Sequence, residues 1–246
     1  MQAIILAAGM GSRLKEKTEE IPKALIPING IPLIINTLNI LSNYNISEVI
    51  IVVGYLKEKI KSYLGTSYNN MKITYVDNNL YKKSNNIYSL FLTRDYIKED
   101  ILLLECDIYF SKKLLEKIVN EEAACNIMVS KYNSKTMNGT VVKIDDNKNV
   151  KELIVKNKQD KNFKYNDKYK TVNIYKFSKD FFLKKFIPTI DLYIKTESMN
   201  SYYEFVLGAL IYYGNDEFKA VIVDEKLWRE VDDENDLEIA ERTTWI

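Results

Sequence analysis

Three short apolar runs constrain this chain most: Gln2–Ala8 ("QAIILAA"), Glu48–Gly54 ("EVIIVVG") and Ile101–Asp107 ("ILLLECD"). Each is nearly continuous in apolar character rather than alternating. Strands buried on both faces read this way, and such strands belong to parallel sheets covered by helices. The intervening segments supply the cover. Pro32–Tyr44 and Leu56–Leu64 read as helices, Lys72–Val76 as a strand and Asn85–Ile97 as a helix. Lys112–Asn120 reads as a further helix and Asn126–Lys131 as a strand. This alternation predicts βαβ units with right-handed crossovers.

The pattern changes after Met137. Thr140–Asp145, Val150–Val155 and Tyr169–Phe177 read as strands joined by polar turns such as Asp145-Asp146-Asn147-Lys148, which suits antiparallel pairing. Helices are expected at Lys179–Phe186 and Ser201–Tyr213, then a strand at Phe218–Val223 and a helix from Asp233. No long linker or internal repeat interrupts the chain. The expected architecture is a single α/β domain over residues 1–246: Rossmann-like, with a mostly parallel mixed sheet, helices on both faces and a C-terminal antiparallel elaboration.

Composition narrows the chemistry. The chain has no histidine. That removes His–Cys zinc sites, Ser-His-Asp triads and imidazole acid–base catalysis. Carboxylates, amines, amides, hydroxyls and a hard metal ion remain. A net charge of +1 gives no global field toward nucleic acid or membrane, and neither is expected as a partner. No 18-residue apolar stretch suggests a transmembrane helix. The N-terminus has no basic n-region, so no signal peptide is expected. Cys106 and Cys125 sit in apolar runs, and two reduced core thiols in a cytoplasmic protein are the expectation.

The first strand runs into Gly9-Met10-Gly11-Ser12-Arg13-Leu14. A Walker loop needs G-x-x-x-x-G-K-[ST], which does not occur. A dinucleotide fingerprint needs a third glycine where Leu14 stands. A triphosphate-binding loop fits: the glycines let backbone N–H groups approach phosphate oxygens, and Arg13 supplies a forked cation. The plainer alternative is a tight turn with a surface arginine. Pro22-Lys23 lies within loop reach, and Asp107 ends a strand at the sheet's carboxyl edge, where ligands bind in open α/β sheets. Together these point to a metal–triphosphate site.

"AIILAAGMGSRL…PKALIPINGIPLI" resembles the L-A-A-G-x-G-[ST]-R-(L/M)…P-K signature of the nucleotidyltransferase superfamily that activates sugar-1-phosphates and small phospho-alcohols. The likeness extends through Asp107 to "LWREVDDENDLEIAE". Where sugar-specific members carry Q-x-x-P-x-G, this chain has Asn78-Asn79-Leu80-Tyr81 and Ser84-Asn85-Asn86-Ile87-Tyr88-Ser89. That run is similar to cytidylyltransferases acting on phosphocholine, 2-aminoethylphosphonate or L-glutamine phosphate. The resemblance implies CTP and a small phosphonate or phosphate acceptor as partners, Mg²⁺ as cofactor, and products that feed surface-glycan or lipid decoration. Residues 1–136 would be the nucleotide-binding core, and 137–246 the acceptor-binding and C-terminal part.

The site residues follow from the same likeness. Lys23, Arg13 and Asp107 are the expected catalytic group. Leu6, Ala7, Ala8, Gly9, Gly11, Ser12, Asn78, Ser84 and Asn85 join Arg13 and Lys23 around the nucleotide. Asn86, Tyr88, Ser89, Asn173, Tyr203 and Glu204 are acceptor candidates, and Tyr202-Tyr203-Glu204 on a helix could cage an ammonium. Core packing of those tyrosines, and Asn85 as a helix N-cap, are the structural alternatives. Asp107 with Glu230 and Asp232, which alternate along a strand, would hold the metal through oxygen; a charged strand end before an Asp-capped helix is the alternative. A sugar-1-phosphate enzyme, a metal-dependent glycosyltransferase using Glu105-Cys106-Asp107, and a non-catalytic nucleotide binder are the competing functions. The terminal "TTWI" and the tyrosine-rich helix are a candidate homodimer face.

Overall fold

The computed structural model describes residues 1–214, 217–243 and 245. Strand Gln2–Ala7 lies centrally, parallel to Glu48–Val53 on one side and to Ile101–Glu105 on the other. Met71–Asp77 extends the parallel part beyond Glu48–Val53. The side chains of the first strand divide by period 2. Ala3, Ile5 and Ala7 pack with Ile34, Leu38 and Ile60 of helices Leu33–Leu41 and Lys57–Leu64. Ile4, Leu6 and Ala8 face the opposite layer, with Ile87, Phe186, Ile190 and Leu207. Helices Asn86–Phe91, Ile187–Thr196 and Tyr203–Tyr213 build that second layer. The mixed sheet with helices on both faces is therefore present.

The sheet reverses direction sooner than the sequence suggests. The neighbour of Ile101–Glu105 is Tyr169–Phe177, running antiparallel. Cys125–Lys131 lies beyond it, antiparallel to Tyr169–Phe177 and parallel to Phe218–Val223. Hairpin Val141–Ile144 and Val150–Ile154 pairs at the start of Tyr169–Phe177. Its turn is held by the Asp145 carboxylate, which accepts from the backbone N–H groups of Asn147 at 3.0 Å and Asn149 at 2.8 Å.

Three helices differ from expectation. The segment expected as Asn85–Ile97 stops at Phe91 and resumes as a 3₁₀ turn at Arg94–Tyr96. There the Thr93 hydroxyl donates to the Leu90 carbonyl at 2.7 Å, one of the local bonds that compete with a continuing helix. The helix expected at Lys112–Asn120 spans only Lys112–Leu115. The helix expected at Lys179–Phe186 continues through Ile187–Thr196. In the structure the helical backbone runs unbroken from Lys179 to Thr196, and Pro188 follows a π turn at Phe182–Phe186 that ends with the Ile187 N–H bonded to the Phe182 carbonyl.

Two features place the site. A short antiparallel ribbon joins Ile108–Phe110 to Trp228–Glu230, and the Val231 N–H donates to the Asp107 carbonyl at 2.9 Å. The C-terminal segment is thereby fixed at the carboxyl end of Ile101–Glu105. Gly54, at the end of the neighbouring strand, lies so close to the first loop that an added Cβ would sit 2.8 Å from the Ala8 carbonyl oxygen and from Tyr81 Cβ.

Among the described residues no helix is long and apolar enough to cross a membrane. Of the proposed dimer face, Thr244 and Ile246 lie outside the described residues. Trp245 packs on Tyr109 with ring centroids 5.4 Å apart, and Tyr212 and Tyr213 are exposed.

Gly54→Ala forces two backbone segments apart at the rim of the site. It should destabilise the protein by about 1–3 kcal/mol, the usual range for overpacking, measured by urea unfolding. A variant as stable as wild type would show that this approach is loose.

Candidate active site

Lys23 stands at the centre. Pro22 is extended (φ −63°, ψ 144°) and aims the chain into a single 3₁₀ turn, Lys23–Leu25. Gly11, at φ 64°, closes over it: an added Cβ would lie 3.1 Å from Lys23 Cβ and from Thr18 Cγ2. The Lys23 ammonium is 2.8 Å from Asp107 Oδ2 and 2.9 Å from Asp232 Oδ1. Burial opposes its charge, but the two carboxylates outweigh this and hold its pKa above the ordinary lysine value. Arg13 reaches the same Asp232 oxygen at 2.7 Å from a largely exposed position. Burial pushes the Asp232 carboxyl up, and Lys23 and Arg13 more than reverse that, so its pKa is lowered.

These groups line a cleft of about 310 Å³ at the carboxyl edge of the parallel strands. Of the expected residues, Leu6, Ala7, Ala8, Gly9, Gly11, Ser12, Arg13, Lys23, Asn78, Ser84, Asn85, Asn86, Ser89, Asp107 and Asp232 all line it. An added Cβ at Gly9 would meet no protein atom within 4 Å. Nothing in the chain itself requires a glycine there by crowding, as a close-approaching ligand would.

The asparagine segment is more committed than its sequence suggests. Asn78 Nδ2 donates to Ser84 Oγ at 3.1 Å and Ser89 Oγ at 3.0 Å, and Asn78 Oδ1 accepts from the Leu80 N–H at 2.9 Å. Asn78 thus shapes the loop from within, with both amide protons used. Asn85 is the N-cap of Asn86–Phe91, and its side chain accepts from the Asn86 N–H at 2.8 Å. Asn86 Nδ2 donates to Glu105 Oε1 at 3.1 Å and, more weakly, to Glu204 Oε2 at 3.4 Å.

Four acceptor candidates lie off this cleft. Tyr88 packs beside Phe91 and does not line this cleft. Tyr203 is fully buried, edge-on to Tyr175 and Phe186, with its hydroxyl donated to Glu105 Oε1 at 2.9 Å. The expected tyrosine cage is therefore not formed: the faces of Tyr203 are spent on the core. Glu204 is buried behind Asn86. Asn173 sits at φ 59°, in a register shift of Tyr169–Phe177, and donates to Glu230 Oε1 at 3.1 Å.

The expected three-carboxylate metal set is also not assembled. Among the described residues no group of three His, Cys, Asp or Glu side chains is placed to hold a metal ion. Glu230 ends its strand facing Lys170, at 3.1 Å, and Asn173. It lines a second cavity, about 270 Å³, that shares Arg13 and Asp232 with the first. Two oxygen ligands remain well placed. Asp107 Oδ1 is buried and has no hydrogen-bond partner, and Asp232 leaves the capping role to Asp233, whose side chain accepts from the Asp236 N–H at 2.9 Å. A hard cation suits this donor set.

Several lining residues were not expected. Tyr81 and Cys106 border the first cleft, as does Glu105, which the sequence suggested only as part of a D-x-D-like run; Tyr202, expected as part of the ammonium cage, lines it too. An acidic residue inside "ILLLECD" was the available signal. Lys170, which lines the second cavity and is 1% exposed, gave none.

A MobA-like NTP transferase domain matches residues 3–166. The chain belongs to this family. Among its relatives, CMP-5'-(3-aminopropyl)phosphonate synthase of Streptomyces rubellomurinus is 30% identical over 96% of this chain and 37% of that protein. CTP:phosphoglutamine cytidylyltransferase of Campylobacter jejuni is 29% identical over 97% of this chain and 98% of its own length. Choline-phosphate cytidylyltransferase of Streptococcus pneumoniae is 34% identical over 64% of this chain and 65% of that one. The chain thus spans less than two thirds of two of these relatives. A solved CTP:phosphocholine cytidylyltransferase from Streptococcus pneumoniae superposes with a TM-score of 0.81 at 26% identity, covering 98% of this chain and 97% of that chain.

Within this family member, burial is the first cause that raises the Glu204 carboxyl from its ordinary value near 4.5 to about 7. The native state then holds a proton that the unfolded chain has released, so this group makes stability fall as pH rises from 4.5 to about 7. Glu204→Gln should flatten that decline in thermal midpoint. Parallel pH profiles for variant and wild type would remove Glu204 as its source.

Proposed function

We propose that this family member is a Mg²⁺-dependent cytidylyltransferase. It would transfer CMP from CTP to a small nitrogen-bearing phosphonate or phosphate and release pyrophosphate. The observation that carries this reading is the convergence of Lys23 and Arg13 on Asp107 and Asp232, in one cleft with the glycine loop. A triphosphate needs cations and backbone donors on one side, and carboxylates that hold a metal beside the α-phosphate. The relatives' names support CTP as the donor and phosphonates, phosphocholine or phosphoglutamine as acceptors.

In the proposed reaction an acceptor oxygen attacks the α-phosphorus. The new P–O bond forms as the bond to the β-phosphate bridging oxygen breaks, and pyrophosphate leaves with that electron pair. The attacking oxygen is already anionic near neutral pH. No general base is required, which suits a chain without histidine. Catalysis is then positioning and charge neutralisation. Arg13 and the amides of Gly9–Gly11 would hold the β- and γ-phosphates, and Lys23 the α-phosphate. Asp107 and Asp232 would hold Mg²⁺, which neutralises charge shared between the reacting phosphates.

We place the acceptor in the second cavity, on the far side of Arg13 and Asp232. Its walls carry both signs: Arg13 and Lys170 against Glu225, Asp233 and Asp236. A zwitterion with an anionic head and an ammonium tail matches such walls better than a neutral sugar ring does. The product would be an activated head group for surface-glycan or lipid decoration, made in the cytoplasm.

Pyrophosphate release should be assayed with the four nucleoside triphosphates against 2-aminoethylphosphonate, 3-aminopropylphosphonate, phosphocholine, L-glutamine phosphate and glucose-1-phosphate. Release is expected with CTP and a zwitterionic acceptor. Lys23→Ala and Asp107→Ala should each lose about 10²–10³ in rate while staying folded. Release only with glucose-1-phosphate, or near-wild-type turnover in either variant, would overturn the reading.

A further inference from the structure

We infer that Lys23 is the resident cation of the Asp107–Asp232 pair in the free enzyme, and that a divalent ion gains those carboxylates only as the nucleotide's phosphates draw Lys23 away. This rests on the proposal that the two aspartates hold the metal. Three observations lead to it.

The first is position. The Lys23 ammonium lies 2.8 Å from one carboxylate and 2.9 Å from the other. A Mg²⁺ ion bound to the same two oxygens requires distances of about 2.0–2.1 Å. It would have to enter the space the ammonium fills. Two cations in one partly buried site repel strongly, because little water screens them. The side chains of Lys23, Asp107 and Asp232 are only 10%, 17% and 21% exposed.

The second is charge balance. Arg13 is also on Asp232, at 2.7 Å. Two carboxylates thus face two cations, and the free site is close to neutral. A divalent ion entering it gains little field. A triphosphate changes this, since it offers both cations better partners and adds negative charge beside the aspartates.

The third is what can move. The Lys23 backbone is fixed by Pro22 and the turn that follows, and Gly11 presses on its Cβ. Only the end of the side chain is able to swing, and the glycine loop lines the same cleft. Asp107 Oδ1 is buried and without a partner, so Lys23 alone leaves that carboxylate incompletely satisfied. Metal and nucleotide would bind with positive coupling, and by linkage each would strengthen the other.

The test is Mn²⁺ binding to the full chain, followed by electron paramagnetic resonance of the free ion without any nucleotide. Wild type should bind Mn²⁺ weakly. Lys23→Met should bind at least tenfold more tightly, and adding Asp107→Asn to that variant should remove the gain. Lys23→Gln provides a second, polar replacement, with circular dichroism to verify folding of each. Equal and tight binding by wild type and both variants would overturn the exchange while leaving the aspartates as metal ligands. Equal and weak binding by the three proteins would overturn it too. If Mn²⁺ also fails to bind wild type together with CTP, the metal reading itself falls.

Discussion

A parallel strand buried on both faces tolerates polar side chains only at its tips. Strands Gln2–Ala7, Glu48–Val53 and Ile101–Glu105 obey this constraint, and everything reactive in the molecule follows from it. Their interiors are given to Ile, Leu, Val and Ala packed against helices on either side. Charged and polar groups are driven to the strand ends: Gln2 and Glu48 pair at the amino edge, and the glycine loop, Glu105 and Asp107 emerge together at the carboxyl edge. The cleft lies where the two-sided core ends.

Three segments far apart in the chain meet there through one lysine. Lys23 comes from the loop after the first strand, Asp107 from just beyond strand Ile101–Glu105, and Asp232 from beyond the terminal ribbon. Each carboxylate would be costly to leave partly buried and unpaired, and Lys23 satisfies both. The same ammonium that completes this part of the fold is a natural partner for phosphate. On the proposed reading, a site built this way would bind through exchange of partners instead of filling an empty charged hole.

Behind the cleft lies a different kind of polar cluster. Glu105 and Glu204 are linked through Asn86, and Tyr203 donates to Glu105. Burial raises both carboxyls, Glu105 well above the usual range. The tyrosine ring of this cluster packs into the core and its hydroxyl hydrogen-bonds Glu105, which leaves no face of Tyr203 open to the cleft.

The sequence by itself determined the parallel centre, the glycine loop, and the identities of Arg13, Lys23, Asp107 and Asp232. Local physics writes these directly: uninterrupted apolar runs mark doubly buried strands, and the Gly-x-Gly turn with Pro-Lys marks a loop that lines the cleft at their carboxyl edge. Tertiary structure decided which of those charges touch. The Ile108–Phe110 and Trp228–Glu230 ribbon brings Asp232 to Lys23, and a three-residue pairing leaves no periodicity to read. The antiparallel insertion of Tyr169–Phe177 carries Lys170 and Asn173 to Glu230, turning that carboxylate away from Asp107 and into a second cavity. The same packing buries Tyr203 where its sequence neighbours suggested a binding face. Partner choice among charges depends on distances between remote segments, and those distances exist only once the sheet has closed its order.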